Sequence, residues 1–89
     1  MSQAIASPEE LANFANALEQ YLNNLEQETG RLTMGFNQLG ESWRDQKRTS
    51  FEEQYYSLLN ALAAFKENAS EQIPYLRIMA EDLRTYLNR

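Results

Sequence analysis

The chain predicts an all-α fold: an antiparallel helical hairpin that dimerises into a four-helix bundle. Three observations carry that prediction. Strand formers are scarce, with no Val and few other β-branched residues, while Ala, Leu, Glu, Gln and Asn dominate. Two long segments repeat apolar residues every seven positions, the period of helices that wrap gently around a neighbour. One short break, marked by Gly40, separates the two segments.

The 89 residues form one small domain, 1–89. A core of this size is marginal alone and needs a staple, a metal or a partner. The sequence holds neither Cys nor His. A disulfide and the common zinc sites are therefore excluded, which leaves a partner as the support.

The first helix is expected over about residues 8–39. Ser7 caps its free N–H groups, Pro8 takes the first helical position, and Glu10 is placed to complete a capping box. Leu11, Leu18, Leu25, Leu32 and Leu39 then recur at intervals of seven, flanked by Phe14, Ala15, Tyr21, Leu22 and Phe36. Gly30 and Gly35 interrupt this run without shifting its phase, which predicts one continuous helix. A break near residue 30 is the alternative. Gly40 stands where a left-handed C-terminal cap is expected.

Residues 40–45 read as the turn, with Ser42 or Asp45 capping the second helix. That helix is expected over about residues 46–87. One heptad position reads Phe51, Leu58, Phe65, Gln72, Met79, Tyr86, and a second reads Tyr55, Leu62, Ala69, Leu76, Leu83. Pro74 removes a backbone donor within this run. The phase persists across it, which predicts a kink rather than two helices, with a true break between Asn68 and Pro74 as the alternative.

A short connection makes the two helices antiparallel. Their apolar stripes are wider than one seam requires. Phe14, Tyr21, Leu22 and Phe36 widen the first, and Tyr56, Leu59 and Ala63 widen the second. A lone hairpin leaves the excess wet, and pairing two hairpins covers it. The hairpin or dimer seam is thus assigned to the five leucines with Phe51, Tyr55, Leu58, Leu62 and Phe65.

Catalysis finds no support in the residue types. Without His or Cys, Ser and Thr lack an ordinary activator. The carboxylate pairs Glu9–Glu10, Glu52–Glu53 and Glu81–Asp82 are adjacent on helices and diverge by about 100°. No glycine-rich phosphate loop or Glu-x-x-His pattern occurs, so no catalytic residue, cofactor or metal is assigned. The net charge of −5 argues against nucleic acid and against an anionic membrane surface. No stretch approaches the roughly 20 apolar residues of a membrane span. The opening Met1-Ser2-Gln3-Ala4-Ile5-Ala6-Ser7 lacks the basic and apolar regions of a secretory signal peptide.

Two features of the turn remain. Arg44, Lys47 and Arg48 form a basic cluster, read either as a solvated face paired with Glu41 or Glu52 or as a docking patch for an acidic partner. The solvated face is the leading reading, and positive charge near a helix N-terminus, being mildly unfavourable, adds a little weight to the second. Trp43, the single Trp, either plugs the end of the bundle or forms part of a groove that a partner reads.

A Trp in the central turn of a hairpin just under a hundred residues long resembles the WXG family, the early-secreted-antigen-like proteins of type VII secretion. Ile5-Ala6-Ser7-Pro8-Glu9-Glu10-Leu11 is similar to that family's helix start. Leu39, Trp43 and Phe51 have its spacing across the turn, continued by Tyr55 and Leu62. The resemblance covers nearly the whole chain. It implies a non-enzymatic module, cytoplasmic before export and then secreted. Its implied partners are an identical or paralogous hairpin chain and a secretion ATPase, and Trp43 would join a groove with the opposing chain's tail. Two positions depart from the pattern. The family's Gly two residues after the Trp is Asp45 here, which can still cap a helix. Its export signal, a Tyr followed four residues later by an acidic residue, is absent: Tyr75 is followed by Met79, and Tyr86 lies too near the C-terminus. A partner chain then supplies that signal, or the protein stays inside the cell as a scaffold or chaperone-like adaptor.

Overall fold

The computed structural model describes residues 7–88; residues 1–6, where most of the signal-peptide reading and the first two residues of the family-start reading fall, and residue 89 lie outside the described part. Two helices, α1 (Pro8–Leu39) and α2 (Gln46–Leu87), pack side by side into an antiparallel hairpin measuring 66 × 20 × 20 Å. No strand occurs among the described residues.

Local chemistry sets the ends of each helix. The Glu10 backbone N–H donates to Ser7 Oγ at 3.3 Å, and Pro8 occupies the first turn, where it forgoes no hydrogen bond. The expected reach of Glu10 back to the cap is replaced: the Ser7 hydroxyl donates to Glu9 Oε1 at 3.0 Å. Asp45, rather than Ser42, caps α2 by accepting from the Arg48 backbone N–H at 3.1 Å. Ser42 instead donates its hydroxyl to the Leu39 carbonyl.

Both helices run unbroken through their weak points, α1 through Gly30 and Gly35 and α2 through Pro74. The alternative breaks near residue 30 and between Asn68 and Pro74 are thereby overturned. The left-handed cap at Gly40 is also overturned. Gly40 has φ −62° and ψ −18°, and no described residue has positive φ. The chain leaves α1 by tightening in the right-handed sense. Gly40 N–H donates to Phe36 O, and Ser42 and Trp43 N–H both donate to Leu39 O. The Phe36, Gln38 and Leu39 carbonyls are satisfied by this coil, and no reversal of φ is required.

The seam between the helices differs from the one the leucines suggested. On α1 the buried heptad is Pro8, Ala15, Leu22 and Phe36, with Thr29 half-buried in the same register. On α2 two positions face it: Tyr55 and Ala69, with Leu62, Leu76 and Leu83 half-buried, and Ile73 and Ala80 in the adjoining register. The alanines carry this seam because helices approach closely only where side chains are small. Ala15 is 0% and Ala80 2% exposed. The core proper is Ala15, Leu22, Ala69 and Ile73, backed by Leu18 and Leu76.

Candidate functional site: an outward apolar face and a braced turn

The heptad Phe51, Leu58, Phe65, Gln72, Met79, Tyr86 points outward along its whole length. Its five apolar members are 46, 48, 47, 49 and 65% exposed, so of the expected hairpin or dimer seam this row does not form the hairpin part. Heptad positions three or four residues apart lie about 50° apart around a helix, so this row sits just outside the Tyr55–Ala69 row. The five leucines of α1 stand in the same relation to Ala15 and Leu22. Leu11, Leu18 and Leu25 are half-buried, and Leu32 and Leu39 are exposed.

Both outward rows lie on one side of the hairpin. Tyr21 meets Phe65 edge-on, ring centroids 6.5 Å apart. Nearer the turn, Leu32, Gly35, Leu39, Phe51 and Leu58 line a single open groove of about 400 Å³ with Arg31 at its rim. Gly35 forms bare floor there, with nothing within 4 Å of the position a β-carbon would take. Glycine in a helix interior is about 1 kcal/mol worse than Ala, so this position weakens α1 without serving contacts inside the chain.

The opposite side is cross-braced by ion pairs, beside a small cavity lined by Leu25, Leu59, Leu62 and Ala63 with Glu26 and Lys66. Lys66 pairs with Glu26, Arg77 binds Glu19 at 2.9 Å and Asn16 at 3.1 Å, and Arg84 lies 3.8 Å from Glu9. The Lys66 hydrogen bond holds the Glu26 carboxyl below its ordinary 4.5, helped by the ammonium charge. Glu9 is lowered first by a backbone N–H at the start of α1 and then by the Ser7 hydroxyl. Exposed pairs of this kind add little stability, but they fix which flank of α1 meets which flank of α2.

The accessible surface is 7102 Å². A compact 10.4 kDa monomer exposes about 5,400 Å². The excess follows from the elongated 66 × 20 × 20 Å shape, and the apolar face is where exposure is least favourable.

At the turn, Phe36, Phe51, Tyr55 and Trp43 form a connected aromatic cluster. Phe36 and Tyr55 centroids are 4.8 Å apart, Phe36 and Phe51 5.8 Å, and Trp43 and Phe51 6.0 Å. Tyr55 is buried, and its hydroxyl shares a 2.8 Å hydrogen bond with Thr33 Oγ1. Trp43 is half-buried against the outward Phe51.

The three basic residues of the turn separate. Arg48 tucks inward, its guanidinium 5.6 Å over the Phe36 ring and 3.8 Å from Glu52. Arg44 Nε donates to the Glu41 carbonyl. Lys47 is exposed, so the turn presents no single cationic patch of three. Sequence reasoning missed the Arg48–Gly40–Phe36 packing, because the eight-residue spacing from Gly40 to Arg48 carries no periodic signal.

No helix of the described residues is long and apolar enough to cross a membrane, and none of them form a group of three or more acidic side chains able to hold a metal ion. No protein-family model and no curated protein matches the chain. Its fold is that of solved structures of EsxB, a secreted protein of Bacillus anthracis strain Sterne. One variant superposes with a TM-score of 0.80 at 20% identity, covering 97% of this chain and 96% of that one. The selenomethionine-labelled protein gives 0.79 at 19% identity, covering 97% and 98%. The expected helical hairpin is therefore the observed one, matched over nearly its full length.

Proposed function

We propose that this chain is a WXG-like, secretion-associated protein that acts without catalysis, by pairing through its outward apolar face with another hairpin chain. The observation that carries the reading is that face: two parallel apolar rows left outside the hairpin seam on one flank, while the other flank is closed by ion pairs. Its likeness in fold to a secreted protein supports the secretion role, as does the placement of Trp43 in the turn against Phe51. The pair is handled as one unit by a secretion ATPase, cytoplasmic first and then outside the cell.

Light scattering at micromolar concentration together with fractionation of the native host culture tests this. The expected result is a mass of two hairpins and protein in the culture medium. A stable monomer with no companion overturns the pairing, and protein confined to the cytosol overturns the secretion role. One observation favours a second reading. Tyr75 is followed four residues later by Met79 rather than by an acid, which suits a cytosolic adaptor whose outward face receives a client helix. Co-purification with a larger partner, and no secretion ATPase, is the outcome that reading expects.

A further inference from the structure

We propose that residues 75–87 of α2 form a separable arm, hinged at Pro74 and latched to α1 by Arg77, which opens first and as one unit while the rest of the hairpin stays shut. The inference concerns motion within one hairpin and does not depend on what pairs with it.

The hinge follows from the chemistry of proline. Pro74 stands inside α2 and has no N–H. The Ser70 carbonyl therefore receives no helical hydrogen bond, and the pyrrolidine ring crowds it. The packing changes at the same place. Just before Pro74, Ala69 and Ile73 belong to the core with Ala15 and Leu22. Beyond it only Ala80 is buried, and Tyr75, Ile78, Met79, Tyr86 and Leu87 are exposed. An open cleft of about 300 Å³, lined by Leu22, Asn23, Ser70, Ile73 and Pro74, lies beside the weak point and leaves room for the chain to swing.

The latch is Arg77, just beyond the proline. Its guanidinium donates to Glu19 Oε1 at 2.9 Å and to Asn16 Oδ1 at 3.1 Å, two acceptors on one flank of α1. Among the described residues, the arm's other polar tie to α1 is the 3.8 Å Arg84–Glu9 pair at the tip. Arg77 lies on the ion-paired flank, away from the outward apolar row, so replacing it leaves that row intact.

The two helices do not open alike. α1 runs continuously from Pro8 to Leu39, so its first turns remain part of a long helix when the arm leaves. The arm falls within or below the roughly 12–15 residues under which an isolated helix is marginal in water. Released from α1, it loses its helix, and the loss stops at Pro74, where the core begins.

Amide hydrogen exchange on the full chain, read residue by residue by NMR at one protein concentration, tests this. In the parent chain, residues 78–84 are expected to share one opening equilibrium, at least tenfold more open than that of residues 62–73. Residues 12–19 of α1 are expected to exchange as slowly as residues 62–73. Arg77→Met keeps the helix propensity and the apolar stem. It is expected to speed residues 78–84 at least threefold and to leave residues 62–73 unchanged. Pro74→Ala is expected to remove the step between the two segments. Protection that falls smoothly toward the tip in the parent chain, or residues 12–19 exchanging together with 78–84, overturns the arm. A smaller effect of Arg77→Met, or equal acceleration of both segments, overturns the latch. A step that survives Pro74→Ala overturns the hinge.

Discussion

The Arg48 guanidinium fills the space that a β-carbon on Gly40 would need. Gly40 is thus selected by crowding and not by backbone conformation, since its φ and ψ are ordinary helical values. Gly40→Ala is expected to destabilise the hairpin by about 0.5–1 kcal/mol through displacement of that guanidinium from Phe36. The penalty should shrink in an Arg48→Ala background, which a double-mutant cycle by urea unfolding measures. Equal penalties in both backgrounds would exclude the contact as the cause.

Tyr55→Phe removes the hydroxyl that bonds Thr33 while leaving the ring against Phe36. A net loss of about 0.5–1.5 kcal/mol is expected, since the Thr33 hydroxyl can turn to its own helix. The midpoint of thermal unfolding should fall with unchanged helicity at room temperature. A midpoint equal to that of the parent chain would show the hydrogen bond contributes nothing.

Trp43→Ala should act on stability and pairing to different extents. The Trp43–Phe51 ring contact is worth about 0.5–1.5 kcal/mol beyond burial, so melting should fall modestly. Phe51 also belongs to the outward face, so self-association measured by sedimentation should weaken as well. If melting falls while association of the folded fraction stays the same, Trp43 only closes the end of the hairpin.

Acid should loosen the braced flank. Glu26 has its carboxyl lowered in the fold by Lys66, so it holds its proton less tightly when folded than when unfolded. Its contribution is complete above the ordinary value of 4.5 and is lost as pH falls through the lowered folded value. Glu9 acts with the same sign. Thermal melts from pH 7 to pH 3 should show a steeper acid-side decline for the parent chain than for Glu26→Gln. Superimposable acid limbs would show that the Glu26–Lys66 pair adds nothing to stability.

Much of the hairpin is legible in the sequence. Ser7-Pro8 marks the start of α1, and Asp45 is one of two residues that mark the start of α2, because capping depends on side chains local in sequence. The seam is harder to read. A heptad of leucine announces that a face will be buried, but not whether the neighbour belongs to the same chain. Here the internal contact goes to Ala15, Ala69 and Ala80 together with Leu22, Phe36, Tyr55 and Ile73, and the equally bulky Leu32, Leu39 and Phe65 are left outside. Gln72, a defect if its row were a core row, is exposed like its neighbours on that row. The nature of the Gly40 turn is not legible, because it depends on Arg48 folding back across the turn.

The two helices are tied covalently at one end only, and that end holds the aromatic cluster with its Thr33–Tyr55 bond. The far end is joined by alanine contacts and an Arg84–Glu9 pair. Local opening events therefore start at the free tips and travel toward the bend, so amide hydrogens near Ala80 exchange with solvent sooner than those near Tyr55. A second chain that clasps the tips would slow this exchange most where the single chain is least able to hold itself shut.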